Sequence, residues 1–204
     1  MTSLHRRWSA LLLVALIGVA GTPGCSGDDD EKAKGKETPA GPASPAPAFA
    51  FNILAAEVRS PAPQAPPFPE DLKGAVKASL DTYLANGVVG PLSTGKPPAG
   101  LDNLFSLAAG VRLAPGQPDR AVMLEEGQPV SGKVTQDKAD VRLTALLDPG
   151  GAPAVVTAIV DIALTVKGKG TTLTVARGGE LALVFENNSW RIDSFDLRTV
   201  RDTR

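Results

Sequence analysis

Two side chains of this sequence are of the types that could do acid–base chemistry within an apolar domain. Tyr83 is the only tyrosine, and Asp161 is the only ionisable residue in the apolar run 154–166. A tyrosine hydroxyl beside a buried carboxylic acid can stabilise an enolate. Alternation along a strand, however, puts Asp161 on the face opposite Val160 and Ile162. The pattern therefore favours a solvated carboxylate and a core tyrosine, and we predict no catalytic residue.

The distribution of histidine, cysteine and charge excludes several other kinds of site. The only histidine is His5 and the only cysteine is Cys25, both near the N-terminus. Once an export signal is removed, the folded part has no imidazole and no thiol, so we expect no metal and no cofactor. With 21 basic and 22 acidic side chains, the net charge of −1 argues against a nucleic-acid partner.

The remaining charged residues are predicted to be solvated. Glu125 and the carboxylates near it lack the spacing of a calcium-binding loop, and we expect them at a solvated rim. Three arginines recur every third residue at the C-terminus and could contact anionic lipid or a partner, although the pattern favours a solvated tail: Arg198, Arg201 and Arg204.

The N-terminal segment has the pattern of an export signal. Arg6 and Arg7 precede an apolar run over residues 10–20, and small residues follow. This order is typical of a secretory signal peptide, and the run is shorter than the roughly 20 residues that span a bilayer. Residues 1–24 are therefore predicted to be a signal peptide.

Cys25 lies where a bacterial lipoprotein signal has its acylated cysteine. The segment resembles a lipobox, although Thr22 and Pro23 replace the leucine and small residue preferred there. An exported chain with one cysteine has no disulfide partner for it. We therefore predict that Cys25 is lipidated and holds the protein on the extracytoplasmic face of a cell membrane, with an ordinary secreted protein as the alternative.

Composition divides the rest of the chain into a tether and a domain. Residues 25–68 are rich in proline and alanine, and the part from 26 to 48 has no aromatic or branched aliphatic side chain, which predicts disorder. At about 3.1 Å per residue, those 23 residues would reach up to roughly 70 Å. The apolar island 49–59 should dock as an edge strand or a short turn. Residues 69–204 should form one globular domain.

The hydrophobic pattern in this domain changes from helical spacing to alternation. Helical spacing predicts a helix over 70–86, a shorter one over 101–109 and a third over 118–126. Four strands are predicted next: 139–147, 154–167, 171–185 and 190–200. Gly178 and Gly179 indicate a bulge or bend, and a second bulge is expected near Ser194. The predicted fold class is α+β, with two or three N-terminal helices packed on a curled four-stranded antiparallel sheet.

This element order, together with the closing pattern Asn-Asn-Ser-Trp-Arg-Ile-Asp-Ser-Phe-Asp at 187–196, resembles the cystatin-like cone of the nuclear transport factor 2-like superfamily. More narrowly, it is similar to domains of uncharacterised actinobacterial lipoproteins and of proteins associated with mammalian cell entry. The resemblance implies a site inside the cone that uses an Asp–His pair or a tyrosine with carboxylic acids. Because His5 lies in the signal, only the second kind is open to this chain.

Three functions remain open from the sequence. The leading hypothesis is a non-catalytic, lipid-anchored envelope protein whose cone-like domain binds a partner protein or an apolar ligand, with Trp190 pointing inward from the last strand. An alternative from another class is an isomerase- or dehydratase-like enzyme that uses Tyr83 and Asp161. A third is a structural accessory subunit of an envelope transport complex. The possible contact residues are thus Tyr83, Asp161 and Trp190.

Overall fold

A five-stranded sheet is the main element of the computed structural model, which describes residues 49–60 and 65–204. Of these residues, 45% are in strands and 24% in helices. The predictions for the signal peptide, Cys25 and the segment 26–48 lie outside the described residues. The elements in chain order are β1 (Asn52–Arg59), α1 (Glu70–Thr82), a π-helical segment (Tyr83–Val89), α2 (Gly90–Thr94), α3 (Leu107–Arg112), α4 (Pro118–Met123), β2 (Lys133–Leu147), β3 (Pro153–Lys167), β4 (Thr172–Glu186) and β5 (Ser189–Thr203).

The sheet is mixed, and the predicted fold class is therefore wrong. Its strand order is β1-β2-β3-β4-β5, with β2 to β5 antiparallel and β1 parallel to β2. The structure is mostly β, with five strands and not four antiparallel ones. Parallel neighbours need a long connection, and the helical region between β1 and β2 is that crossover. The sequence pattern missed it because the prolines around 49–59 made this segment look external to the domain.

Strand β1 joins the sheet because its side chains contribute to the core. Phe51, just before the strand, and Val58 within it are both buried. The Phe51 N–H donates a hydrogen bond to Asp81 Oδ1 at the end of α1, at 2.8 Å. Burial of these side chains favours docking of the whole segment over solvation. The island thus forms an edge strand, one of the two forms expected from composition.

Helix α1 has the predicted apolar stripe, but the helix does not stop at Asn86. Leu72, Val76 and Leu80 are buried along one face, and the chain then continues as a π-helix. The carbonyl of Gly87 accepts a hydrogen bond from the Glu125 N–H at 3.1 Å. A wider turn releases carbonyls from the α-helical ladder. The chain thus remains helical through α2, eight residues beyond the predicted end of the helix at residue 86.

The second predicted helix is displaced toward the C-terminus. Residues 104–106 lie along the edge of β5: the Ser106 N–H donates to Ile192 O at 3.0 Å and the Ile192 N–H to Leu104 O at 2.9 Å. Ser106 is the N-cap of α3, and its side chain accepts from the Ala109 N–H. Pairing with the sheet edge therefore outweighs the helical propensity of residues 101–105.

The two predicted irregularities of the sheet have different outcomes. The bulge near Ser194 is confirmed, because the pairing of β4 with β5 shifts there and leaves Asp193 as an extra residue. No shift occurs at Gly178 or Gly179. Gly179 instead has φ of 144°, and a Cβ there would lie 2.1 Å from Asp196 O. Glycine at this position allows a close approach of β5.

Candidate functional site

Tyr83, the predicted candidate on the first helix, is completely buried at the start of the π-helical segment. Its hydroxyl donates a hydrogen bond to Met123 O at 2.9 Å and accepts one from Arg177 Nη1 at 2.6 Å. Burial raises the pKa of Tyr83, and the neighbouring Arg177 guanidinium opposes this shift only in part. The side chain is therefore neutral over the physiological pH range.

Arg177 is buried because alternation along β4 directs it to the same face as the buried residues Val175 and Leu181. We call this the inner face of the sheet. Arg177 Nη1 also donates to Met123 O at 2.8 Å, and its Nε donates to Thr199 Oγ1 at 3.0 Å. The remaining Nη2 is hydrogen-bonded to Glu125 Oε1.

Glu125 lies between two arginines in the same interior. Its side chain and that of Arg177 are fully inaccessible to solvent. Arg201, on β5, donates from Nε to Glu125 Oε2 at 3.0 Å and from Nη2 to Glu125 Oε1 at 2.9 Å. Such bidentate, charge-assisted bonds are among the strongest in proteins. We call Tyr83, Glu125, Arg177 and Arg201 the buried network.

The buried network is fully hydrogen-bonded. Every buried side-chain nitrogen or oxygen among the described residues has a hydrogen-bond partner. The Glu125 carboxylate is held by the guanidinium groups of Arg177 and Arg201. The network joins two segments to β4 and β5: the π-helical segment, and the segment that follows α4.

The sequence pattern did not indicate this network. The prediction that Glu125 lies at a solvated rim is wrong. Arg201, predicted in a solvated tail, is an exposed residue of β5 whose guanidinium group nevertheless pairs with the buried Glu125. Arg177 was not recognised, although the alternation of β4 contained the signal, since a strand that places leucine and valine inward at every second residue places Arg177 inward too. Its partner, 52 residues earlier in the chain, could not be read from spacing.

Asp161 is not close to Tyr83. It lies on the outer face of the sheet, opposite Asp140 on β2 and Gly178 on β4, with 60% of its side chain exposed. It accepts a hydrogen bond from Lys138, and this bond raises the pKa of the Lys138 amine. Because Tyr83 packs on the inner face, the sheet lies between the two groups, and the structure does not bring them together.

Trp190, the third predicted residue, lies at one end of the inner face. It is buried, as its alternation with Ile192 indicated, and its ring contacts that of Phe185 with 5.7 Å between centroids and a tilt of 52°. Ser79 Oγ on α1 donates to Trp190 O at 2.6 Å, which ties the strand to the helix. Phe185 itself is 58% exposed.

An open groove of about 730 Å³ runs along these two rings. We call it the aromatic groove. Phe185 alternates with the buried Leu181 and Leu183 but remains exposed at the end of β4. Uncovered aromatic surface of this kind is typical of ligand or partner sites. The groove is lined mostly by apolar side chains, with polar groups at its rim: Pro69, Asp71, Leu72, Ala75, Ala78, Ser79, Pro153, Phe185, Asn188, Ser189 and Trp190.

Residues 49–60 and 65–204 contain neither a metal-binding cluster nor a membrane-spanning helix. Within these ranges no three histidine, cysteine, aspartate or glutamate side chains form a group that could hold a metal ion. Among the helices of the same residues, none is long and apolar enough to cross a membrane.

Comparisons with protein-family models, with curated proteins and with solved structures found no match to this chain. The resemblance to the nuclear transport factor 2-like superfamily, and to the lipoproteins named with it, therefore stays a prediction.

Proposed function

We propose that this chain is a non-catalytic, extracytoplasmic protein, anchored to a membrane through acylated Cys25, whose folded part binds an apolar ligand in the aromatic groove. The observation that carries the proposal is Phe185, a large aromatic side chain left exposed on the inner face beside Trp190. The volume of the groove falls in the range that accommodates small apolar molecules.

The distribution of polar groups supports binding over catalysis. The groups suited to chemistry are in the buried network, where each is already hydrogen-bonded. At the aromatic groove, in contrast, most of the lining is apolar, and Asp71, Ser79 and Asn188 supply a few polar contacts. Sites of this composition hold a ligand by burial of apolar surface and orient it through a small number of hydrogen bonds.

Fluorescence of Trp190 tests the groove directly. Trp8 lies within the predicted signal peptide, so Trp190 is the only tryptophan of the chain that begins at Cys25. Titration with a fatty acid or an isoprenoid should change its emission saturably. Removal of the Phe185 ring in Phe185→Ala should weaken binding by about 10- to 100-fold, because burying such a ring contributes about 1.5–3 kcal/mol.

The matched control is Val200→Ala, which truncates an apolar side chain of similar exposure, 62%, away from the groove. It should leave the titration unchanged. An emission that does not respond to any apolar ligand, or a Phe185→Ala variant that binds as tightly as the parent, would contradict the ligand proposal. If the groove binds a protein partner instead, the emission of Trp190 should change only when that partner is added.

The anchor is tested separately by intact-mass analysis of the protein extracted from the membrane fraction. We expect a chain that begins at Cys25 and carries acyl chains, and a Cys25→Ser control that stays unprocessed or is released. An unmodified Cys25 in a membrane-extracted chain would contradict the anchor and leave the groove proposal unaffected. Several acyl chains hold a protein firmly, whereas one alone anchors it weakly.

A further inference from the structure

Four exposed lysines are grouped at the end of the sheet opposite the aromatic groove. Lys133 opens β2 and lies directly opposite Lys167, the last residue of β3. Lys169 follows in the turn between β3 and β4. Like charges on directly opposed strand positions repel each other. We call these three residues, together with Lys96, the basic end.

Lys96 joins the group through the packing of its loop. The Gly132 N–H donates to Leu92 O at 3.0 Å, and a Cβ on Gly95 would lie 3.1 Å from Ser131 Oγ. The loop that carries Lys96 therefore contacts the segment that leads into Lys133. In the described part of the chain, the ion pairs of lysine involve Lys73, Lys77 and Lys138, and not these four.

The chain enters the domain beside the same group. The Ala50 N–H donates to Gln136 Oε1 at 3.3 Å, and Gln136 Nε2 donates to Ala50 O at 2.9 Å. Gln136 lies three residues from Lys133, or about 10 Å along the strand. Phe49 and Ala50, the first described residues, therefore lie close to the basic end.

From this placement we propose that the basic end docks on the anionic headgroups of the membrane that holds the N-terminus. Lysines near an anionic bilayer each strengthen association, and a polybasic surface is the usual second signal beside an acyl anchor. The inference rests on the lipid anchor proposed above. Since β3 spans about 45 Å between Lys167 and Pro153, docking at one end directs the aromatic groove away from the bilayer.

The test uses the full chain isolated from membranes and reconstituted into phosphatidylcholine vesicles, with or without an equal part of phosphatidylglycerol. Hydrogen exchange of the turn 168–171 is followed by mass spectrometry. We expect slower exchange in the anionic vesicles, reversed by high salt. Each Lys→Gln change should lower the apparent affinity for the anionic surface about fivefold, and the four-lysine variant should exchange as in neutral vesicles.

A matched control removes four cations elsewhere, with the same change of net charge: the exposed Arg59, Arg142 and Arg198 and the half-buried Lys73, each to Gln. It should keep the slow exchange. Equal exchange in both vesicles, slow exchange that survives in the four-lysine variant, or slowing by inorganic phosphate alone would overturn the proposal. Protection of the turn 187–188 would likewise overturn it, because the aromatic end would then face the lipid.

Failure of the anchor is recognised separately. A chain that does not float with neutral vesicles lacks the anchor, whereas a chain that floats but shows no lysine-dependent protection has the anchor without docking of the basic end.

Discussion

Replacing Glu125 by glutamine should be among the most destabilising isosteric changes in this protein. The carboxylate is fully buried between Arg177, which is equally buried, and Arg201, whose side chain is 29% exposed. Glu125→Gln keeps the shape of the side chain and removes its charge. Two guanidinium groups then converge on a neutral amide, and only Arg201 can turn toward water.

The loss in the free energy of unfolding depends on which buried charge is left without a partner. Breaking a buried ion pair by removing one partner costs about 3–5 kcal/mol, and we expect this for Glu125→Gln. Arg177→Met should cost less, about 2–3 kcal/mol, because Glu125 keeps Arg201 and the Tyr83 hydroxyl still donates to Met123 O. Arg201→Met, at a partly exposed position, should cost about 1 kcal/mol.

Urea unfolding followed by far-ultraviolet circular dichroism measures these differences. A loss of about 3–5 kcal/mol should lower the midpoint by about 2 M relative to the parent protein. The control is Asp119→Asn, which removes the carboxylate of the exposed Arg112–Asp119 pair and should change stability by less than about 1 kcal/mol. A double variant, Glu125→Gln with Arg177→Met, should be more stable than Glu125→Gln alone, since it no longer buries an unpaired charge.

Two results would refute this reasoning. One is a Glu125→Gln variant as stable as the Asp119→Asn control. The other is a double variant that is less stable than Glu125→Gln, which would mean that the network contributes through packing and hydrogen bonds and not through charge compensation.

Two further predictions concern the same interior. Burial raises the pKa of Tyr83 above its ordinary 10.0, so the folded protein keeps this proton at pH values where the unfolded chain loses it. The free energy of unfolding therefore does not change through Tyr83 below pH 10 and falls as the pH rises above 10. Ultraviolet titration of this single tyrosine should show tyrosinate only on unfolding, and early ionisation in the folded state would contradict burial. Gly179→Ala should cost more than about 2 kcal/mol, since its Cβ would meet Asp196 O at 2.1 Å. Gly178→Ala, whose Cβ would meet only Val160 O at 3.6 Å, is the control, and equal losses would contradict the close approach.

Local patterns predicted the features that depend on one strand or helix at a time. The stripe of Leu72, Val76 and Leu80 gave the position of α1, because a helix that buries one face repeats its apolar residues at this spacing. The bulge in β5 could be predicted because the inward-facing residues change from even to odd positions between Ile192 and Phe195. In the candidate site, the inward position of Trp190, the burial of Tyr83 and the solvated outer-face position of Asp161 could be predicted in this way.

Features that depend on two distant segments were not visible. The Leu104–Ser106 segment pairs with β5 although its spacing suits a helix, because hydrogen bonds at an open sheet edge outweigh a weak local propensity. Glutamate is a residue type usually found at the surface, and only Arg177 and Arg201, far along the chain, make the burial of Glu125 possible.

Composition and periodicity by themselves predicted an export signal and a proline-rich tether, which stay predictions, and they indicated the helices that precede the four antiparallel strands β2 to β5. The tertiary structure alone decided that segment 49–59, expected as an edge strand or a short turn, pairs parallel to β2, that Tyr83 and Glu125 both bond to Arg177 in the interior, and that Phe185 stays exposed. The physical reason is that alternation specifies which way a side chain points along its own strand, whereas burial and pairing depend on the segment that packs against it.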